Sequence, residues 1–79
     1  MRGRGDSKAQ NSLGILYGKG LGVLQDMVLA HMWFNISASN GLEGASNNRD
    51  LTAKKMTPSQ IQKAQDLARE CVKKNYKGC

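Results

Sequence analysis

Apolar residues recur at helical spacing along this chain, and this periodicity constrains the fold more than any other feature. The first set falls at i, i+4, i+7 and i+8, positions that share one side of a helix. Its members are Ala9, Leu13, Leu16 and Tyr17. No stretch alternates convincingly between apolar and polar residues as a half-buried strand does. The sequence therefore predicts an all-α fold.

Capping signals divide the chain into four helices. Asp26 suits the free amide groups of a first turn, so the second helix begins there, and Asn40-Gly41 ends it. A more polar third helix follows over about residues 42–55. The segment Thr57-Pro58-Ser59-Gln60 has the form of a capping box with proline at the first helical position, and it begins the fourth helix. Short loops between these segments predict antiparallel hairpins.

The nine-residue segment GKGLGVLQD, after the first helix, raises the question of a phosphate-binding loop. A Walker A loop needs a hydroxyl residue where Gly20 follows the lysine, and a dinucleotide fingerprint needs glycine where Val23 stands. The segment is therefore interpreted as a structural turn. Gly20 and Gly22 supply unusual backbone angles, Val23 points back into the hairpin, and Asp26 opens the next helix.

Length and charge limit the function classes. The chain has 79 residues, enough for one small domain, and a net charge of +6. Its cations are dispersed; only Lys54-Lys55 and Lys73-Lys74 adjoin, so nucleic-acid binding is not favoured. A small basic protein that binds anionic polymers such as nucleic acid stays the alternative function. No apolar run reaches the length of a membrane span, so no membrane partner is expected.

No constellation of residues predicts catalysis, a metal or a cofactor. His31 has no cysteine, histidine or carboxylate three or four residues later, which disfavours a metal site. Ser12, Ser37 and Ser39 lack the flanking glycines of a nucleophile elbow. The chain is therefore predicted not to be an enzyme.

One long pattern gives the chain a family resemblance. The sequence shows similarity to itself at a shift of 36 residues, which places Gly5 on Gly41 and Ala9 on Ala45. The pattern reads Ala9-x-x-x-Leu13-Gly14-x-x-Tyr17-x-x-Gly20-x-Gly22-Val23-x-x-Asp26-x-x-x-Ala30-x-x-Trp33, continuing to Ala38, Gly41 and Ala45. Over residues 5–45 it resembles a Sel1-like repeat, with Ser37 in place of a usual alanine. The segment NRDLTAKKMTPSQIQKAQDLARE resembles the C-terminal end of bacterial Sel1-repeat proteins.

The resemblance implies an α/α superhelix, or solenoid, of the tetratricopeptide type. It would contain about one and a half repeats plus a C-terminal capping helix in a single domain, residues 1–79. Residues 8–40 would form the repeat helix pair, 41–56 a degenerate second repeat helix, and 57–79 the capping helix and tail. Proteins of this family serve as scaffolds in protein complexes, so the resemblance implies a protein-interaction module.

The resemblance also bears on the two cysteines. Cys71 and Cys79 have the spacing of the cysteine-rich Sel1 proteins, in which such a pair forms a disulfide. Two unrelated thiols remain the alternative for a cytosolic chain. The disulfide would place the protein in the periplasm or outside the cell; free thiols would fit the cytoplasm, since no signal segment is evident at the start of the sequence.

The resemblance further implies where a partner binds. In this family the first helix of each repeat lines the concave face. Exposed positions 36 apart on these helices are Asn11 with Asn47 and Ile15 with Leu51, which become the candidate contact residues. Ordinary surface and partial core remain the alternative interpretation. The first helix also lacks a preceding neighbour, which predicts a homo-oligomer formed through that helix.

Overall fold

The computed structural model describes residues 5–79, so the first four residues of the predicted domain lie outside the described residues. This part of the chain holds four helices and no strand. The helices are α1 (Ser7–Lys19), α2 (Met27–Ser39), α3 (Glu43–Ala53) and α4 (Pro58–Lys73). The predicted all-α fold is confirmed.

Side-chain caps lie at the starts of α1, α2 and α4. At α1, the backbone N–H of Lys8 donates to Asp6 Oδ1 at 3.2 Å. The Asp26 carboxylate accepts a hydrogen bond from the backbone N–H of Leu29 at 3.0 Å. At the start of α4, the N–H of Gln60 donates to Thr57 Oγ1 and the N–H of Thr57 donates to Gln60 Oε1, at 3.1 and 2.9 Å. The starts of α2 and α4 agree with the sequence prediction. No side chain caps α3, which ends at Ala53, before the predicted boundary.

The turn between α1 and α2 depends on glycine conformation. Gly20 and Gly22 have φ of +68° and +75°, in the left-handed region that glycine reaches without strain. Val23 is 40% exposed, and its orientation into the hairpin stays a prediction. Gln25 Nε2 donates to the Gly18 carbonyl at 2.8 Å and closes the loop.

Helix α2 lies at the centre of the molecule and packs against each of the other three helices. Its apolar residues therefore cannot form a single stripe, in agreement with their abundance in the sequence. Met32, Trp33 and Ile36 are each 1% exposed and pack with Ala68 and Cys71 of α4. Leu13 and Tyr17 of α1 cover the same cluster.

The C-terminal tail folds back onto this core. The sulfur atoms of Cys71 and Cys79 lie 2.03 Å apart, the distance of a disulfide bond. Within the loop between them, the backbone N–H of Tyr76 donates to the Cys71 carbonyl at 2.8 Å. The Tyr76 side chain packs against the core, and its hydroxyl accepts a hydrogen bond from Asn40 Nδ2 at 3.2 Å.

Candidate protein-interaction groove

Helices α1 and α3 lie side by side and run in the same direction. Near their centres, Asn48 Nδ2 donates a hydrogen bond to Asn11 Oδ1 at 3.1 Å. Toward their C-terminal ends, Lys19 and Lys55 line one shared groove. Asn47, the residue predicted to match Asn11 on this face, is exposed and lies outside the groove lining. Asn11 thus accepts a hydrogen bond within the structure, and its contact with a partner stays a prediction.

The groove between α1 and α3 has an apolar floor. Its volume is about 510 Å³. Ile15 of α1 and Leu51 of α3 line it together, which brings two of the predicted contact residues to one site. Met27 and Phe34 of α2 complete the floor. Leu51 is 59% exposed, so the groove presents a large apolar side chain to solvent.

Three lysines form the rim of the groove, namely Lys19, Lys54 and Lys55. They stand at the C-terminal ends of α1 and α3, where cations offset the partial negative charge of the helix termini. No aspartate or glutamate is among the described residues that line the groove. Sequence reasoning left Lys19 without a role, although the 36-residue shift that pairs Ile15 with Leu51 also pairs Lys19 with Lys55.

A close contact between α1 and α2 holds the floor in place. Gly14 is buried, and a Cβ atom added to it would lie 2.5 Å from Cε1 of Phe34. That distance is far below an ordinary carbon–carbon contact of about 3.5–4.0 Å. The absence of a side chain at residue 14 therefore allows the Phe34 ring to reach its place beneath the groove.

His31, the histidine that the sequence singled out, lies in the interior rather than in the groove. It is 3% exposed, and no hydrogen bond to its Nδ1 is present among residues 5–79. Burial lowers the pKa of His31 below its ordinary value of 6.5, and the positive charge of Arg49 lowers it further. The Asp50 carboxylate opposes these effects. The folded protein thus favours the neutral imidazole.

This lowered pKa predicts that the protein loses stability in mild acid. The unfolded chain binds a proton at His31 more readily than the folded chain, so stability is full above pH 6.5 and falls as the pH drops below it. The slope is at most about 1.4 kcal/mol per pH unit. Thermal melts between pH 7.5 and 5.5 should show a falling Tm, and the fall should shrink in a His31→Gln variant. Equal pH dependence in both proteins would contradict this account.

A membrane-spanning helix and a metal site are both absent from the described residues. None of the helices in residues 5–79 has both the length and the apolar character needed to cross a membrane. The same part of the chain contains no group of three or more histidine, cysteine, aspartate or glutamate side chains that could hold a metal ion.

Paired helices stacked side by side, with α1 and α3 along one groove, define an α/α solenoid. Residues 7–42 match the Sel1 repeat model. A crystal structure of a protective antigen present in uropathogenic Escherichia coli strains, described as displaying an SLR fold, has a TM-score of 0.84 and 37% sequence identity to this chain. The chain contains a Sel1-like repeat and has the fold of Sel1-like repeat proteins.

The extent of these similarities differs between the two comparisons. The similarity to the antigen covers 91% of this chain but only 16% of the antigen's chain. No curated protein matches the sequence. Because the repeat match ends at residue 42, the division of the remainder into a degenerate repeat helix (41–56) and a capping helix with tail (57–79) stays a prediction.

Proposed function

We propose that this chain is a non-catalytic protein-interaction module whose contact surface is the α1–α3 groove. Sel1 repeats are generally protein-interaction modules. The single observation that carries the proposal is the exposed apolar floor, where Leu51 and Ile15 face one groove of about 510 Å³. An exposed apolar surface with a polar rim is typical of a binding site.

The chemistry of the groove supports binding rather than catalysis. General acid–base catalysis requires a titratable group of suitable pKa within reach of a bound substrate. His31 is buried outside the groove lining, and the titratable side chains that do line the groove are lysines. Lysines at the rim can orient a partner through charge, and the apolar floor can supply binding energy.

A serine substitution at Leu51 tests the assignment. The immobilised Leu51→Ser variant should recover the partner from source-cell extract at least fivefold less well than the wild-type chain, since truncating an apolar residue at the centre of an interface costs about 1–2 kcal/mol or more. Leu24→Ser is the matched control, because Leu24 is 91% exposed at the tip of the α1–α2 loop. Recovery should be measured by quantitative mass spectrometry. Equal loss in both variants, or none in either, would contradict the groove assignment.

A homo-oligomer formed through α1 is part of the same proposal. Leu16 on α1 is 36% exposed, which supports self-association through that helix.

An oxidising compartment, the periplasm or the exterior, is also part of the proposal. The disulfide distance between Cys71 and Cys79 supports it, because such bonds persist there.

A further inference from the structure

We propose that the α1–α3 groove takes an acidic protein segment, in which one or two large apolar side chains are flanked by aspartate or glutamate. This inference rests on the proposed function and adds the chemistry of the partner. The apolar side chains would contact Ile15 and Leu51, and the carboxylates would face the lysine rim.

Among residues 5–79, no ion pair includes a lysine of the rim. Lys19, Lys54 and Lys55 line the groove without a carboxylate beside them in the lining. The ion pairs of the described residues join Arg49 to Asp50 and Arg69 to Asp66, and neither pair includes a rim lysine. Three like charges around an apolar floor favour a partner of opposite charge and disfavour a basic one.

The arrangement also gives the bound segment a direction. The lysines stand at the C-terminal ends of α1 and α3. The hydrogen bond between Asn48 and Asn11 lies farther toward the N-terminal ends of these helices. Carboxylates would therefore gather at one end of the groove. The volume of about 510 Å³ lies within the range of roughly 300–1,000 Å³ that ligand sites occupy, and it suits a short anchor rather than a whole domain.

The side chains of the groove favour an acidic protein over a nucleic acid. Single-stranded nucleic acid binds through bases that stack on exposed aromatic rings. Trp33 and Phe34 are 1% and 5% exposed, and Tyr17 and Tyr76 pack against the core. The chain has no other aromatic residues. The rim thus offers cations without a stacking platform, and the aromatic ring of the floor, Phe34, is too buried to stack on a base.

Selection from a random peptide library tests the inference. A displayed library of 12-residue peptides is panned on the disulfide-intact 79-residue chain, with counter-selection on Leu51→Ser. Enriched peptides should carry net negative charge and at least one large apolar residue. Enrichment of neutral or basic peptides that depend on Leu51 would overturn the acidic preference and leave the proposed function standing. An absence of Leu51-dependent peptides would contradict both.

Charge reversal then tests the rim directly. Fluorescence anisotropy with one labelled acidic peptide should show binding at least tenfold weaker for the Lys54→Glu/Lys55→Glu variant. The matched control is Lys63→Glu/Lys77→Glu, which changes charge equally at exposed residues outside the groove and should bind like the wild-type chain. Equal weakening in both variants would show a general charge effect and overturn the proposal.

Two measurements complete this experiment. Because lysines at helix C-termini also stabilise the helices, thermal melts of both variants must show folded protein at the assay temperature. A mixed-sequence single-stranded DNA oligonucleotide is the second probe. Tighter binding of the oligonucleotide than of the acidic peptide, with a steep loss between about 50 and 200 mM salt, would replace the acidic segment with a nucleic acid as the ligand.

Discussion

Reduction of the Cys71–Cys79 pair is expected to lower the free energy of unfolding by about 2–3 kcal/mol. A bond that closes so short a loop restricts the unfolded chain, and its loss gives that chain more conformations. For a domain of this size the corresponding fall in Tm is roughly 10–20 °C. A domain of 79 residues has roughly 4–12 kcal/mol of stability in total, so the loss is a large share of it.

The structure shows which contacts should be lost when the disulfide bond is reduced. Tyr76 packs against the core and bonds to Asn40, yet its backbone has a φ of +64°, and Asn75 before it has +54°. Non-glycine residues in this region are strained unless their surroundings hold them. Opening the loop should release the tail, so amide exchange at residues 74–79 should quicken before the core unfolds.

Thermal melts with and without a phosphine reductant measure the effect of the bond. The matched control is the Cys71→Ala/Cys79→Ala variant, which should melt near the temperature of the reduced wild-type chain and should not respond to reductant. Mass spectrometry of the unreduced protein after alkylation should find no free thiol. An identical Tm for oxidised and reduced wild-type chain would contradict the stabilising role of this pair.

The clash that Gly14→Ala creates is expected to cost about 1–3 kcal/mol, the usual range for overpacking a core. The added methyl group would meet three atoms of the Phe34 ring at 3.0 Å or less, and Phe34 is 5% exposed. Alanine is the better helix former by about 1 kcal/mol, so the measured loss is what remains of the clash after that gain.

A second glycine separates the clash from helix propensity. Gly44 lies in α3, and a Cβ atom there would meet nothing within 4 Å. Gly44→Ala should therefore leave stability unchanged or raise it by up to about 1 kcal/mol. Urea denaturation of the two variants measures both effects. A Gly14→Ala protein stabilised as much as Gly44→Ala would show that Phe34 moves without cost.

The fold follows from local signals that sequence reasoning can interpret. Asp26 and Thr57 begin helices because each supplies an oxygen to free backbone N–H groups, a requirement that involves only a few neighbouring residues. The helical spacing of apolar residues is a local signal of the same kind, and it predicted the position of α1. The hydrogen bond from Gln25 to the Gly18 carbonyl was not predictable from such signals, since it joins residues on either side of the loop.

The groove was predictable in part. Ile15 and Leu51 could be found because the repeat places equivalent residues 36 apart, and the structure brings both to one groove. Met27 and Phe34 could not, because they come from α2 and enter the floor through tertiary packing, which for Phe34 is its contact with Gly14. Asn47 shows the limit of a repeat argument, since Asn48 rather than Asn47 meets Asn11 across the helices.

Chemical-shift mapping by NMR tests whether the α1–α3 groove is where the protein binds its partner. The ¹⁵N-labelled chain is titrated with an acidic peptide selected on it, and amide shifts are followed at every assigned residue. We expect the largest amide shift changes at the groove, around Ile15, Lys19, Leu51 and Lys55. Residues 21–24 and 68–73 should show small changes. Changes concentrated in either of those two segments, with the groove unaffected, would contradict the claim that this groove is where the protein binds its partner.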